Sequence, residues 1–201
     1  MTNLFDHLQN LISRDIHPTE REAEIWERYG STVAAMVIDS SGFSRVTEQH
    51  GIVHFLSQLM LMRSTIRNIC DGYRCHAFRF EADNVYAIFD QPNDAVHAAR
   101  RVHEVIHEKE IMLTPLEPFR VCIGIGFGKM LYSETLEGYF GEEMNLASKL
   151  GEDTAIPGET LITQSVFQNT DGELLKGFTA RPLRIAGIET ICHGLRFQPG
   201  A

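Results

Sequence analysis

The chain has 201 residues, a hydrophobic fraction of 43% and a formal net charge of −9. That length and apolar content suit one domain with a real core and a short appendage. The acidic balance argues against a dedicated nucleic-acid binder, which needs a basic face, but leaves nucleotides open because a bound divalent cation supplies local positive charge.

Residues 1–30 form a first unit, a helical extension. Leu4, Phe5, Leu8, Leu11 and Ile12 recur at helical spacing, as do Ile25 and Trp26. Asp6, His7 and Arg14 interrupt the first stretch, so it lacks the basic start and apolar centre of a signal peptide. A buried strand is expected over 32–39, then a long helix over about 50–71 whose Met-rich stripe belongs to a core or a subunit interface. A hairpin is expected at 75–89 and a helix at 92–110 with Pro92 at its start. A strand follows at 119–128 and a helix at 142–151. A strand at 160–162, a short helix at 164–168 and closing strands near 177–185 and 190–197 complete the chain. The order is β-α-β-β-α-β with added C-terminal pieces. It predicts a ferredoxin-like α+β core, an antiparallel sheet covered by helices on one face.

No run approaches the ~18 apolar residues of a membrane span. Cys70, Cys75, Cys122 and Cys192 have no paired close spacing and read as reduced thiols. A soluble, cytoplasmic protein is expected.

Two aspartates carry the chemistry. Asp39 ends the first apolar run and opens the turn through Ser40, Gly42 and Ser44. Asp83 lies in the tight link between the hairpin strands. Carboxylates at neighbouring strand ends suit hard divalent cations, since Mg²⁺ takes one or two carboxylates and fills its shell with water and substrate phosphates. Two such ions can activate an attacking oxygen and neutralise a leaving pyrophosphate.

Three blocks in order resemble the class III nucleotidyl cyclases, the adenylate/guanylate cyclase catalytic domain, over about residues 31–170. Met36 to Ser44 is similar to the first metal strand and phosphate loop. Arg79 to Asp83 is similar to the hairpin bearing the second metal aspartate, and Tyr139 to Leu150 to the catalytic helix. A Gly-rich strand, Ile123 to Gly128, lies between the last two. The resemblance implies a cyclase catalytic domain over 31–201 that turns a nucleoside triphosphate into a 3′,5′-cyclic nucleotide and pyrophosphate. It implies two Mg²⁺ or Mn²⁺ ions per site, held by Asp39, Asp83 and the Ser40 carbonyl. Backbone N–H groups around Gly42, Phe43 and Ser44 would cradle phosphates. Asn145 would orient the ribose and Lys149 would stabilise charge on the α-phosphate. A head-to-tail homodimer with two shared sites is implied, with neither nucleic acid nor membrane as partner.

Four positions depart from the family pattern. Lys149 stands where an arginine is usual, keeping the charge but losing the bidentate fork. Ala82 replaces a glycine, a tolerable change unless that position needs positive φ. Arg79 and Gly138 occupy the two base-reading positions and match neither purine pattern. Arg79 offers only donors, which suits a base edge rich in acceptors, and its length leaves less room for a purine. Small bacterial relatives making cyclic UMP or cyclic CMP in antiviral defence are similar in build, so a pyrimidine substrate is expected over ATP or GTP.

A catalytically degenerate, nucleotide-binding regulatory module is the alternative, favoured by Lys149, Ala82 and Gly138. An RNA-binding ferredoxin-like domain is disfavoured by the acidic charge. His103 and His107, four apart, read as a solvated helix face, since no carboxylate or cysteine completes a zinc pattern. Gly124, Gly126 and Gly128 read as a site of close backbone approach within a strand, not a dinucleotide fingerprint.

Overall fold

A computed structural model describes residues 3–134, 138–185 and 188–199. Its centre is an eight-stranded sheet. The first strand, β1 (Gly30–Ser40), is buried along Val33 to Ile38 and sits between β3 (Asn84–Phe89) and β6 (Val121–Ser133), antiparallel to both. β2 (Cys75–Glu81) pairs outside β3, so the four core strands run β2-β3-β1-β6. That is the strand order of a ferredoxin-like core. Beyond β6 the sheet continues through β8 (Glu159–Thr163), parallel to β6, then β10 (Ile188–Arg196) and β9 (Thr179–Ile185). β7 (Gly138–Phe140) folds back on the end of β6, and β4 (Met112–Thr114) with β5 (Glu117–Pro118) forms a separate small ribbon.

Helices cover both faces, not one as the sequence suggested. α4 (Ile52–Asp71), α5 (Pro92–Glu108) and α7 (Gln164–Gln168) share the main core with the inward side chains of β1, β3 and β6. Strand alternation sends Val33, Ala35 and Val37 to the opposite face, where Ala147 and Met144 of α6 (Glu142–Ser148) pack on them. The expected long helix is α4, with a further short helix before it. Gly51, at φ +85°, separates α3 (Phe43–His50) from α4. The Met-rich stripe is itself split: Met62 is buried with Phe55, Leu59 and Ile66, while Met60 and Leu61 face outward.

Gly124 and Gly126 have the role expected of the strand glycines, whereas at Gly128 the neighbouring atoms belong to the Glu143 side chain. A Cβ at Gly124 would lie 2.1 Å from the Ala147 carbonyl oxygen, and one at Gly126 2.2 Å from that of Glu143. β6 therefore carries no side chains where α6 crosses it, and the helix backbone rests on the strand. Glu143 locks this contact, accepting from the Phe127 N–H at 3.0 Å and the Thr163 hydroxyl at 2.7 Å. The helix does not continue as α beyond Ser148; Lys149–Thr154 is a π turn. Gly151 lies in it, tight against the Val37 carbonyl of β1, so the widened turn lets the chain dip to the sheet. Gly126→Ala should lose about 1–3 kcal/mol of stability by forcing this contact apart. A urea-denaturation midpoint lowered relative to the parent protein checks it.

Before β1, α1 (Leu4–Ser13) and α2 (Glu22–Tyr29) enclose a small apolar cluster of Leu4, Leu11 and Ile25 that includes Leu131 of β6. Phe5 meets Phe140 of β7 edge-on at 5.7 Å. No helix among the described residues is long and apolar enough to cross a membrane. All four cysteines are free, and three are buried.

Candidate active site

Asp39 lies one residue from the end of β1, just after six buried positions, so the strand delivers its half-buried carboxylate to the sheet edge. The turn between β2 and β3 brings Asp83 beside it. The Ser40 hydroxyl donates to the Asp83 carbonyl at 3.1 Å, tying the two segments together. Burial, and then the Asp83 charge, push the Asp39 carboxyl up to about 6; Glu152 and Asp153 add to the shift. Negative charge thus gathers around Asp39. The donor set is hard oxygen, the set that Mg²⁺ or Mn²⁺ takes. No group of three or more His, Cys, Asp or Glu that could hold a metal ion forms among the described residues.

Ala82 stands at φ +50°, the left-handed region where glycine is at ease. The departure from glycine is therefore strained, not neutral. Arg63 of α4 braces the turn by donating to the Ala82 carbonyl, with its guanidinium 4.5 Å from the Phe80 ring centroid. Nothing local in the sequence marks Arg63, because it reaches the hairpin from another element.

After β1 the chain turns at Gly42, at φ +91°, into α3. Ser41 is fixed by its N–H and hydroxyl, which donate to the Arg120 carbonyl at 3.2 and 2.8 Å. Phe43 packs edge-on against Phe55 at 4.9 Å, and Ser44 is exposed in the first helical turn. This loop opens a helix N-terminus beside Asp39, an arrangement that favours anions.

A second group gathers on the α6 side of the sheet. Arg79 and Gly138 line one cavity of about 470 Å³, with Tyr86, Tyr132, Tyr139 and Ser148 among its other walls. Arg79 pairs with Glu81 at 3.0 Å and stacks over the Tyr86 ring at 5.0 Å. The Tyr86 hydroxyl in turn donates to Glu152 at 3.0 Å. Asn145 is exposed on α6, and Lys149 opens the π turn, where its ammonium sits 3.5 Å from Asp153. Asp39 and Asp83 do not line this cavity, and neither do Asn145 and Lys149.

The chain matches solved structures over most of its length. A cyclase/hydrolase of adenylate/guanylate type from Silicibacter pomeroyi superposes with a TM-score of 0.70 at 22% identity, covering 82% of this chain and 95% of that one. The fold is that of the class III nucleotidyl cyclase catalytic domain. An adenylate cyclase from Trypanosoma brucei gives 0.68 at 17% identity over 84% and 89% of the two chains. The guanylate cyclase domain of RhGC from Catenaria anguillulae, solved in complex with GTP, gives 0.65 at 18% identity over 83% and 97%. No family model matches the sequence, and no curated protein matches it.

The histidine expectation needs correction. His103 is buried, not solvated: it hydrogen-bonds the Thr160 hydroxyl at 3.0 Å and stacks on Phe197 at 5.9 Å. Burial pushes its imidazole down to about 4, so it stays neutral at physiological pH. The closing strand that covers it is too distant in sequence for helix periodicity to reveal.

Proposed function

We propose that the chain is a class III nucleotidyl cyclase, a phosphorus–oxygen lyase that converts a nucleoside triphosphate to a 3′,5′-cyclic nucleotide and pyrophosphate. One observation carries the reading: Asp39 and Asp83 meet at the sheet edge beside the Gly42 turn, and burial and mutual repulsion hold the Asp39 carboxyl well above its usual range. A folded protein gains no stability from such a pair, but a cation site does.

Asp39, Asp83 and the Ser40 carbonyl would hold Mg²⁺ or Mn²⁺. Such ions, when bound, lower the pKa of the ribose 3′ hydroxyl and balance charge on the leaving pyrophosphate. The backbone of Gly42, Phe43 and Ser44 holds the phosphates. Asn145 orients the ribose for in-line attack on the α-phosphorus, and Lys149 leaves Asp153 to meet the charge developing there. Arg79 and Gly138 receive the base. In the homodimer that the resemblance implies, each site would take its metal ligands from one subunit and its base pocket, lined by Arg79 and Gly138, from the other.

A pyrimidine is the preferred base. Arg79 fills part of a pocket already walled by three tyrosines, which favours a single ring, and its donors favour carbonyl acceptors. With a cyclic pyrimidine product, the role is antiviral signalling of the kind the resemblance implies.

The second reading, a degenerate nucleotide-binding module, draws on the Lys149–Asp153 ion pair and the strained Ala82. Product analysis separates the two. Purified protein with Mn²⁺ is offered ATP, GTP, CTP and UTP separately, and cyclic products are resolved by mass. Cyclic UMP or CMP is the expected product. A cyclic purine as the dominant product overturns the choice of base, and nucleotide binding with no cyclic product favours the degenerate module.

A further inference from the structure

A chain of polar contacts that none of the roles above uses ends at Tyr139 on the wall of the Arg79 cavity. Asp90, just after β3, lies 3.1 Å from His76 Nδ1. His76 Nε2 lies 3.0 Å from the Tyr139 hydroxyl. Tyr139 follows Gly138 on β7, lines the cavity with Arg79, and leans on Tyr132 with ring centroids 4.8 Å apart.

The polarity of this chain follows from its end. A carboxylate only accepts, so Nδ1 of His76 carries the proton facing Asp90. In the neutral ring Nε2 is then bare and accepts, and the Tyr139 phenol must donate its one hydrogen to it. The phenol oxygen therefore turns lone pairs, not a hydrogen, toward the cavity. Burial and the nearby Tyr132 and Asp90 push the Tyr139 phenol up, which keeps that hydrogen in place.

The geometry points to Tyr139 as a base-selecting residue, whose oxygen, oriented by His76 and Asp90, accepts an N–H from a base edge that offers acceptors to Arg79. This rests on the reading of the cavity as the base pocket and deepens it. Arg79 is a donor and Tyr139 an acceptor, so the matching edge has an N–H with an acceptor on the side that faces Arg79. In uracil the N3–H lies between two carbonyls, and in adenine the amino group lies between two ring nitrogens. In cytosine and guanine the N–H has an acceptor on one side only. Whichever side Arg79 approaches from, uracil and adenine satisfy both residues. The preference for a single ring then selects uracil, making UTP the substrate. His76 and Asp90 act through Tyr139 and are positioning residues.

The test is equilibrium binding of 3′-deoxy forms of UTP, ATP, CTP and GTP with Mn²⁺, so that turnover does not intervene. The full chain, Tyr139→Phe and Asp90→Asn are compared, with circular dichroism confirming that all three are folded. The parent protein should bind the UTP analogue about tenfold tighter than those of CTP and GTP, the scale of one well-made buried hydrogen bond. Tyr139→Phe should erase most of that preference, and Asp90→Asn should reduce it, because an amide no longer dictates which nitrogen of His76 carries the proton. Methylation of uracil N3 should weaken binding to the parent and leave Tyr139→Phe unaffected. A parent preference for CTP or GTP overturns the inference, as does an equal weakening of all four nucleotides by Tyr139→Phe. Unchanged selectivity in Asp90→Asn overturns the orienting role of His76 and Asp90. An ATP analogue bound above UTP sinks the pyrimidine reading while leaving the role of Tyr139 standing, and binding of no nucleotide sinks both.

Discussion

Asp39→Asn should abolish cyclisation and, in the metal-free protein, raise stability. The two effects have opposite signs for one physical reason. The amide keeps the shape of the side chain but is a poor ligand for Mg²⁺ or Mn²⁺, and the loss of several kcal/mol of transition-state charge stabilisation corresponds to about a thousandfold or more in rate. The same amide removes a charge that burial and Asp83 disfavour. A carboxyl whose pKa rises from 3.8 to about 6 on folding holds its proton more tightly folded than unfolded. Folding is thus weakened as pH rises from the unfolded value through the folded one, and the penalty is full above it. Because the group is only half buried, solvent screening reduces that penalty to on the order of 1 kcal/mol. Melting curves at pH 7.5 provide the check. Metal-free Asp39→Asn should melt above the metal-free parent, and Mn²⁺ should raise the parent's melting temperature but not the variant's. A variant that melts lower than the parent, or that responds equally to Mn²⁺, would remove the metal assignment.

The sheet was legible because its signals are local. The apolar run before Asp39, the short link at Ala82 and Asp83 and the alternation after Val121 each name a strand within a few residues. Gly124 and Gly126 likewise announced a close backbone approach, though not that Ala147 and Glu143 would be the partners. What stayed hidden depends on contacts across long sequence separations. The second helical layer follows from which face of β1 Ala35 and Val37 occupy, and fully buried strands do not advertise two faces by alternation. The π turn at Lys149 reflects the fit of Gly151 to Val37, a tertiary demand that overrides helix propensity. In the candidate site, the aspartates and Arg79 were visible as single residues out of place, whereas Arg63, His76, Tyr86 and Tyr139 gain meaning only from partners on other elements. Ala82 lies between these cases. The sequence posed the question of positive φ at that position, and the backbone answers it at +50°.

Lys149→Ala should cost about a hundredfold in turnover, the scale of losing one preorganised contact to a developing oxyanion. Its greater value lies in combination with Asp39→Asn. If each site takes Asp39 and Asp83 from one subunit and Lys149 with the Arg79 pocket from the other, the two variants are defective in different halves of every site. Mixed and allowed to exchange, half the dimers pair one variant with the other. Each mixed dimer then holds one site with both halves intact and one with both defective, so about a quarter of the parent activity should return. Neither variant alone can supply this, since each homodimer has two defective sites. A single-chain site predicts no recovery, because every chain in the mixture lacks one of the two residues. Subunit exchange is followed independently by labelling one variant with a donor fluorophore and the other with an acceptor. Recovery near a quarter with full exchange supports the shared site. Exchange without recovery would instead require Asp39 and Lys149 of one chain to serve the same nucleotide. Lys149 itself sits 3.5 Å from Asp153. In the shared-site arrangement, a triphosphate presented from the partner's phosphate loop would have to draw the Lys149 ammonium away from that carboxylate.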